Sequence, residues 1–170
     1  MVVRHNVGIN SPSSVAIGSE MSGGVRNILV NDWYSNGGGM GIRMKSNSAR
    51  GGYVENIYYR NIKLENFTRE AIIIETDYGA WMSSKKEDAY PVFRDIFIED
   101  VVCTGAEIGA SISGTNNQPI EDKTMKNVFT KTHKGMNFEW VHGLKLIDVN
   151  SQPSQGKPIL FKNCKDIIQQ

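Results

Sequence analysis

Arg43 and Lys45 are the residues of this 170-residue chain whose type and spacing most directly suggest binding chemistry. They lie two apart in GIRMK, a short run with the composition of a strand. Side chains at i and i+2 on a strand project from one face. A guanidinium beside an ammonium offers a planar fork and a point charge to the same anion, which suits a carboxylate. On spacing alone such a pair is more simply a solvated strand face, since most charges sit at the surface.

Proton-transfer chemistry has candidates but no motif. Among 18 acidic residues, Glu75 with Asp77, and Asp95 with Glu99 and Asp100, are close enough in sequence to be neighbours. Their frames read as turns and solvent-facing strand positions, so no catalytic residue is assigned. His5, His133 and His142 fit no metal-ligand spacing such as HExxH and read as surface or loop histidines. Cys103 and Cys164 are too few and too far apart for a metal site or a disulfide framework, and read as buried free thiols. No metal and no cofactor is expected.

Composition excludes other partners. The net charge is +1, the isoelectric point is near 7.8, and no basic stripe stands out, so no nucleic-acid partner is expected. No run of about 18 apolar residues occurs, so no membrane span is expected. The opening MVVRHNVGIN lacks the long apolar segment of a secretory leader. The chain is then either cytoplasmic or a mature or truncated form of something exported, and localisation stays open.

The elements that must position Arg43 and Lys45 come from a repeat. The stretch Ile17–Gly52 holds two β-type runs, Val25–Asn31 and Gly41–Lys45, separated by a glycine-rich turn. One pattern (apolar, any, Asn/Asp, apolar) recurs as VRNI at Val25–Ile28, VENI at Val54–Ile57 and FRDI at Phe93–Ile96. It returns as MKNV at Met125–Val128, loosely as VHGL at Val141–Leu144, and as FKNC at Phe161–Cys164. Between the instances lie second strand-like pieces, GIRMK, AIIIE, ASISG, MNFEW and PILFK. Short, closely spaced strands with Gly/Asn/Ser turns and no helical periodicity indicate an all-β chain.

The intervals from Asn27 to Asn56, from Asn56 to Asp95 and from Asp95 to Asn127 are unequal, and the middle one is the longest. That is too irregular for a propeller and suits a parallel β-helix, whose loops vary in length from coil to coil. Asn27, Asn56, Asn127 and Asn163 are expected to stack at one turn, with Asp95 substituting once, as an amide ladder. About five coils at about 4.8 Å each give a solenoid about 24 Å long. A single domain over residues 1–170 is expected, with 1–14 atypical. The long loop Asp77–Pro91 carries Tyr78, Trp81 and Tyr90, and further loops are expected at Ser113–Lys123 and Ser151–Lys157.

VAIGSEMSGGVRNI, followed by GIRMKS, RGGYVENIYYRNI and AIIIETDYG, resembles the C-terminal half of the polygalacturonases, the pectin-cleaving glycoside hydrolases of family 28. The resemblance runs from about Val15 to the C-terminus. It implies a right-handed parallel β-helix and hydrolysis of galacturonic-acid linkages with inversion, by a set of aspartates and a supporting histidine. It also implies a galacturonan-type acidic polysaccharide as partner. Arg43 and Lys45 fall on the family's Arg-x-Lys pair, which binds a substrate carboxylate. Tyr78 falls on a tyrosine that the family places near the sugar. Glu20, in the GSE string, is expected close to the groove, where it either touches ligand or closes a turn.

The departures concern catalysis. The family's aspartates lie upstream of the GSE string, and only the short stretch Met1–Ala16 precedes Ile17 here. Ser11, Pro12 and Ser13 stand where the family has Gly-His-Gly, so the catalytic histidine is missing. HNVGINSPSS faintly resembles the family's Asn-x-Asp-Gly-Ile turn, with Val7 where the aspartate belongs. Inversion needs an acid and a base carboxyl about 6.5–9.5 Å apart, and no motif here supplies them. Three readings follow: a polygalacturonase-like chain inactive in isolation, a uronate-binding module, and a structural β-helix that self-associates through an uncapped N-terminal coil.

Overall fold

A computed structural model describes residues 1–79 and 90–170. The chain forms β1 (Val2–Ile17), β2 (Val25–Lys45), β3 (Tyr53–Glu65), β4 (Glu70–Glu75), β5 (Val92–Thr104), β6 (Ile108–Ser113), β7 (Ile120–Glu139), β8 (Val141–Lys162) and β9 (Lys165–Gln169). Every pairing is parallel. One coil is β1, the next β2, then β3 with β4, β5 with β6, β7, and β8, and β9 opens another. The result is a parallel β-helix, right-handed as parallel crossovers are, with six coils rather than about five.

Asparagine and aspartate define its corners. Asn27, Asn56, Asp95, Asp122, Gly143 and Asp166 all have positive φ and follow one another in register from coil to coil. Further along each coil lies a second column, His5, Asp32, Asn61, Asp100, Asn127 and Asp148, also with positive φ. Short polar side chains tolerate the left-handed conformation because they hydrogen-bond locally. Here they bond to one another: Asn56 Nδ2 donates to Asn27 Oδ1 (2.5 Å), Asn61 Nδ2 to Asp32 Oδ1 (2.6 Å) and Asn127 Nδ2 to Asp100 Oδ1 (2.8 Å).

The single ladder expected from the repeat is therefore two. Asn127 belongs to the second column, and the first-corner residue of its coil is Asp122. The interval from Asp95 to Asn127 is one full coil, the span over which Ile96 pairs with Lys123, plus the step to the next corner. Asn163 joins neither column. It follows Lys162 at another turn, one rung beyond Trp140, and both residues have positive φ. The glycine-rich separation within Val25–Lys45 is also not a break. β2 runs through it and only bends, at Asp32 (φ 54°) and Gly37 (φ 73°). Ser151–Lys157 likewise lies within β8 rather than in a loop, and Ile120–Lys123 already belongs to β7. Most of the expected Asp77–Pro91 loop, Trp81 included, lies outside the described residues.

The core fills the lumen in columns. Val54, Phe93, Ile120 and Val141 form one, and Ile42, Ile72, Ala110 and Met136 another. Each Val, Ile, Phe or Met side chain among them contributes about 1.5–3 kcal/mol on burial. One column contains an exception. Between Ile96 and Leu144, in line with Ile28 and Ile57, stands Lys123, only 1% exposed. Its amine donates to the Glu121 carbonyl (2.9 Å) and the Phe93 carbonyl (3.4 Å).

Candidate functional site

Arg43 and Lys45 face outward because Ile42 and Met44, which alternate with them on β2, are fully buried in the lumen. The next coil places β4 on this segment in register, Arg43 on Ile73 and Lys45 on Glu75. Glu75 thus arrives level with Lys45 and reaches back to Arg43. Its carboxylate accepts from Arg43 Nη2 at 3.2 Å, and both side chains are largely buried, with 12% of the Arg43 side chain exposed. Arg43 Nε is buried with no acceptor among the described residues.

Tyr78 follows β4 and closes the arrangement. Its ring centroid lies 4.2 Å from Lys45 Nζ and 5.0 Å from the Arg43 guanidinium carbon. A cation over an aromatic face at this range is worth about 0.5–1 kcal/mol when exposed and about 2 when desolvated. The Tyr78 backbone is held from the loop after β2: its N–H donates to the Ser46 carbonyl (2.9 Å), and its carbonyl accepts from Asn47 Nδ2 (2.6 Å). On the other side Gly18 packs against the end of β2. It has φ +91°, and a Cβ there would collide with the Lys45 carbonyl oxygen.

The structure brings Arg43, Lys45 and Tyr78 together and sets Glu20 beside them rather than among them. Glu20 is 83% exposed and pairs with Arg50 (2.9 Å), which also donates to Ser19 Oγ. It makes no hydrogen bond or ion pair with Arg43, Lys45 or Tyr78 among the described residues. Sequence reasoning missed Glu75 as the partner of Arg43, and missed Asn47 and Arg50 altogether. The signal for Glu75 was the register of one coil on the next, which the variable coil lengths conceal.

The other candidates are accounted for structurally. Asp95 and Asp100 are corner residues, Glu99 lies on a strand between Arg60 and Lys126 of the adjoining coils, and Asp77 is exposed. His5 faces Asp32 at 3.5 Å, and His133 Nδ1 lies 3.1 Å from Ser154 Oγ. His142, in contrast, is neither a surface nor a loop residue: it lies half-buried on β8, its Nε2 buried without a partner among the described residues. Cys103 and Cys164 are both free, but only Cys103 is buried as expected, and Cys164 is half-buried; burial pushes the Cys103 thiol up to about 12. Among the described residues no group of three His, Cys, Asp or Glu side chains is placed to hold a metal ion. Among the described residues no helix is long and apolar enough to cross a membrane. A recess of about 590 Å³, lined by Asp148, Asn150, Ser151 and Pro158 among others, lies four rungs from Arg43 and has no cation or aromatic side chain in its wall.

The chain and its parallel β-helix have counterparts among known proteins. Over 75% of its length, the chain is 31% identical to a probable polygalacturonase of Vitis vinifera, of which it covers 26%. It is 34% identical to an endo-polygalacturonase of Pectobacterium parmentieri over 67% of its length, covering 27% of that protein. An exopolygalacturonase of Thermotoga maritima superposes with a TM-score of 0.77 at 29% identity, over 92% of this chain and 35% of the other. A family 28 exopolygalacturonase of Yersinia enterocolitica superposes with a TM-score of 0.79 at 16% identity, over 96% and 30%, and speaks for the fold alone. The chain thus spans about a quarter to a third of the length of these relatives. The sequence profile of glycosyl hydrolases family 28 matches residues 8–142, most of the chain and all of the site just described. The repeat, the solenoid and these likenesses agree, and the chain belongs to glycosyl hydrolases family 28.

Proposed function

We propose that this chain is the part of a polygalacturonase-type hydrolase that holds a uronate carboxylate of a galacturonan, through Arg43 and Lys45, with Tyr78 against the sugar. The observation that carries the reading is the charge balance around Glu75. Two cations and one carboxylate leave one positive charge unanswered among the described residues, the complement of a single galacturonate. Arg43, oriented by Glu75, offers its fork, and Lys45 offers a point charge at the same face. The names of the relatives supply the substrate class, since those proteins are polygalacturonases.

Hydrolysis is proposed for the protein type and not for this chain in isolation. Inversion requires an acid and a base flanking the glycosidic bond. The described acid at Arg43 and Lys45 is Glu75, engaged by Arg43; Asp77, two residues on, is exposed and pairs with neither cation among the described residues. The test is calorimetric titration of the folded chain with an oligogalacturonate, alongside an assay for reducing ends. Saturable binding that Arg43→Ala reduces at least tenfold, without turnover, is the expected result. Equal binding of an uncharged oligosaccharide overturns the carboxylate reading. Robust release of reducing ends overturns the inactivity.

A further inference from the structure

Asn47 is 3% exposed, follows the cation pair by two residues, and uses every hydrogen-bonding group that its side chain and carbonyl offer. Its Nδ2 donates to the Tyr78 carbonyl at 2.6 Å. Its Oδ1 accepts from the Ala49 N–H at 3.0 Å. Its carbonyl accepts from the Arg50 and Gly51 N–H groups, at 3.1 and 3.0 Å. The loop that it organises is buried although polar, with Ser46 and Ser48 at 0% and 7% exposure and Ser46 Oγ bonded to the Gly51 carbonyl. Turning the buried amide over would set Nδ2 against the Ala49 N–H and Oδ1 against the Tyr78 carbonyl, so the side chain has one orientation.

Two walls of the site depend on that orientation. Tyr78 is fixed on one side by the Asn47 amide and the Ser46 carbonyl. Arg50, three residues beyond Asn47 in the same turn, reaches the other side to Glu20 and Ser19. Nothing else in the described chain bonds to the Tyr78 carbonyl. An aromatic ring 4.2 Å from an ammonium must be held there, since Tyr78 lies past the end of β4 and has no strand ladder of its own.

We propose that Asn47 is a positioning residue of the anion site: its side-chain amide fixes Tyr78 over Arg43 and Lys45, and so sets the affinity of the pair for a carboxylate. This rests on the reading of Arg43, Lys45 and Tyr78 as the uronate site. Asn47 does not itself touch the anion. Its effect passes through the tyrosine.

The test uses the full chain with its lysines reductively dimethylated with ¹³C-formaldehyde, which keeps their charge. The Lys45 resonance is assigned by Lys45→Arg. In the native chain the Tyr78 ring current displaces this resonance from those of exposed lysines. Asn47→Ser keeps a hydroxyl acceptor for the turn but cannot reach the Tyr78 carbonyl. It is expected to abolish the displacement and to weaken oligogalacturonate binding by about tenfold, the scale of one lost buried hydrogen bond. In a Tyr78→Ala background the same substitution is expected to cost nothing further, as partners acting as one unit require. An unchanged Lys45 resonance overturns the proposal. So does a loss of affinity that adds in full to that of Tyr78→Ala, because Asn47 would then act through the loop at large. Should Asn47→Ser not fold, Asn47→Asp keeps the turn acceptor and replaces the donor with a carboxylate oxygen; because it also adds a negative charge, only the Lys45 resonance is read in it, and an unchanged resonance overturns the proposal. A native chain that binds no oligogalacturonate overturns the uronate reading, and the Lys45 resonance then decides the role of Asn47 alone.

Discussion

The Glu75 carboxylate lies 3.2 Å from Arg43 Nη2, while the Glu75 backbone pairs in register with Lys45. The acid both orients the guanidinium and cancels one of the two charges. These roles separate by substitution. Glu75→Gln keeps an oxygen for Arg43 and removes the negative charge, so oligogalacturonate should bind several-fold more tightly, with a steeper dependence on salt. Glu75→Ala also frees Arg43 and should bind more weakly than Glu75→Gln. Titrations at low and high salt check the order. Equal affinities for the two variants would show that Glu75 does not orient Arg43.

Tyr78 is predicted to act through its ring and not its hydroxyl. The ring centroid is the feature that Lys45 and Arg43 approach, at 4.2 and 5.0 Å. Tyr78→Phe should therefore keep binding within about threefold, and Tyr78→Ala should lose roughly 1 kcal/mol or more. Calorimetry of the two variants side by side decides it. A large loss in Tyr78→Phe would mean that the hydroxyl bonds the ligand directly.

The sequence displayed the β-helix through a motif whose physical meaning is a left-handed corner, and this is also why it misled over detail. VRNI, VENI and FRDI mark the first corner of three coils, but MKNV marks the second, because both corners favour Asn or Asp. Nothing local distinguishes them. In the coil containing MKNV the first corner reads IEDK, and the lysine in the apolar position hid it. The same limit applies at the site. Arg43 and Lys45 were legible because their spacing and their common face lie within one strand. Glu75 comes from the strand of the next coil, and only the register of β2 on β4 brings it to them. Asn47 looked like any turn asparagine, and its burial is a property of the loop as packed.

The second corner column makes a prediction about charge. Asn127 stands between Asp100 and Asp148 and donates its amide to Asp100 at 2.8 Å. Aspartate accepts the same backbone conformation, as its two neighbours show, so Asn127→Asp adds no backbone strain. It does replace a donor with a third carboxylate in a stack of rungs about 4.8 Å apart. Like charges raise carboxyl pKa values in the folded state. The variant should therefore be less stable than the native chain at neutral pH, by about 1–2 kcal/mol, and should recover as pH falls and the stack takes up protons. Urea denaturation at neutral and mildly acidic pH measures this. A deficit that does not shrink on acidification would exclude charge as its cause.

Lys123 makes the opposite kind of prediction, since here a charge sits where the fold asks for a hydrocarbon. Burial pushes its amine down to about 7, against the opposing pull of Asp95, Asp122 and Glu121. In the unfolded chain the amine titrates near its ordinary 10.5. Between these values the unfolded state binds more protons, so stability rises with pH across that window. Below about 7 the folded chain carries the full cost of a buried ammonium, offset in part by its bonds to the Glu121 and Phe93 carbonyls. Lys123→Met fills the same column with an unbranched apolar chain and removes the titration. It should stabilise the protein at neutral pH by on the order of 1–4 kcal/mol, as replacing buried charge by packed hydrocarbon does elsewhere. Its advantage should be largest at pH about 6 and should shrink steadily towards pH about 10, as the native lysine loses its proton in the unfolded state too. Urea unfolding of both proteins across that range gives the difference directly. A constant difference would show that the lysine does not change its protonation on folding, and a native chain more stable than Lys123→Met at every pH would show that its two carbonyl bonds outweigh the burial of the amine.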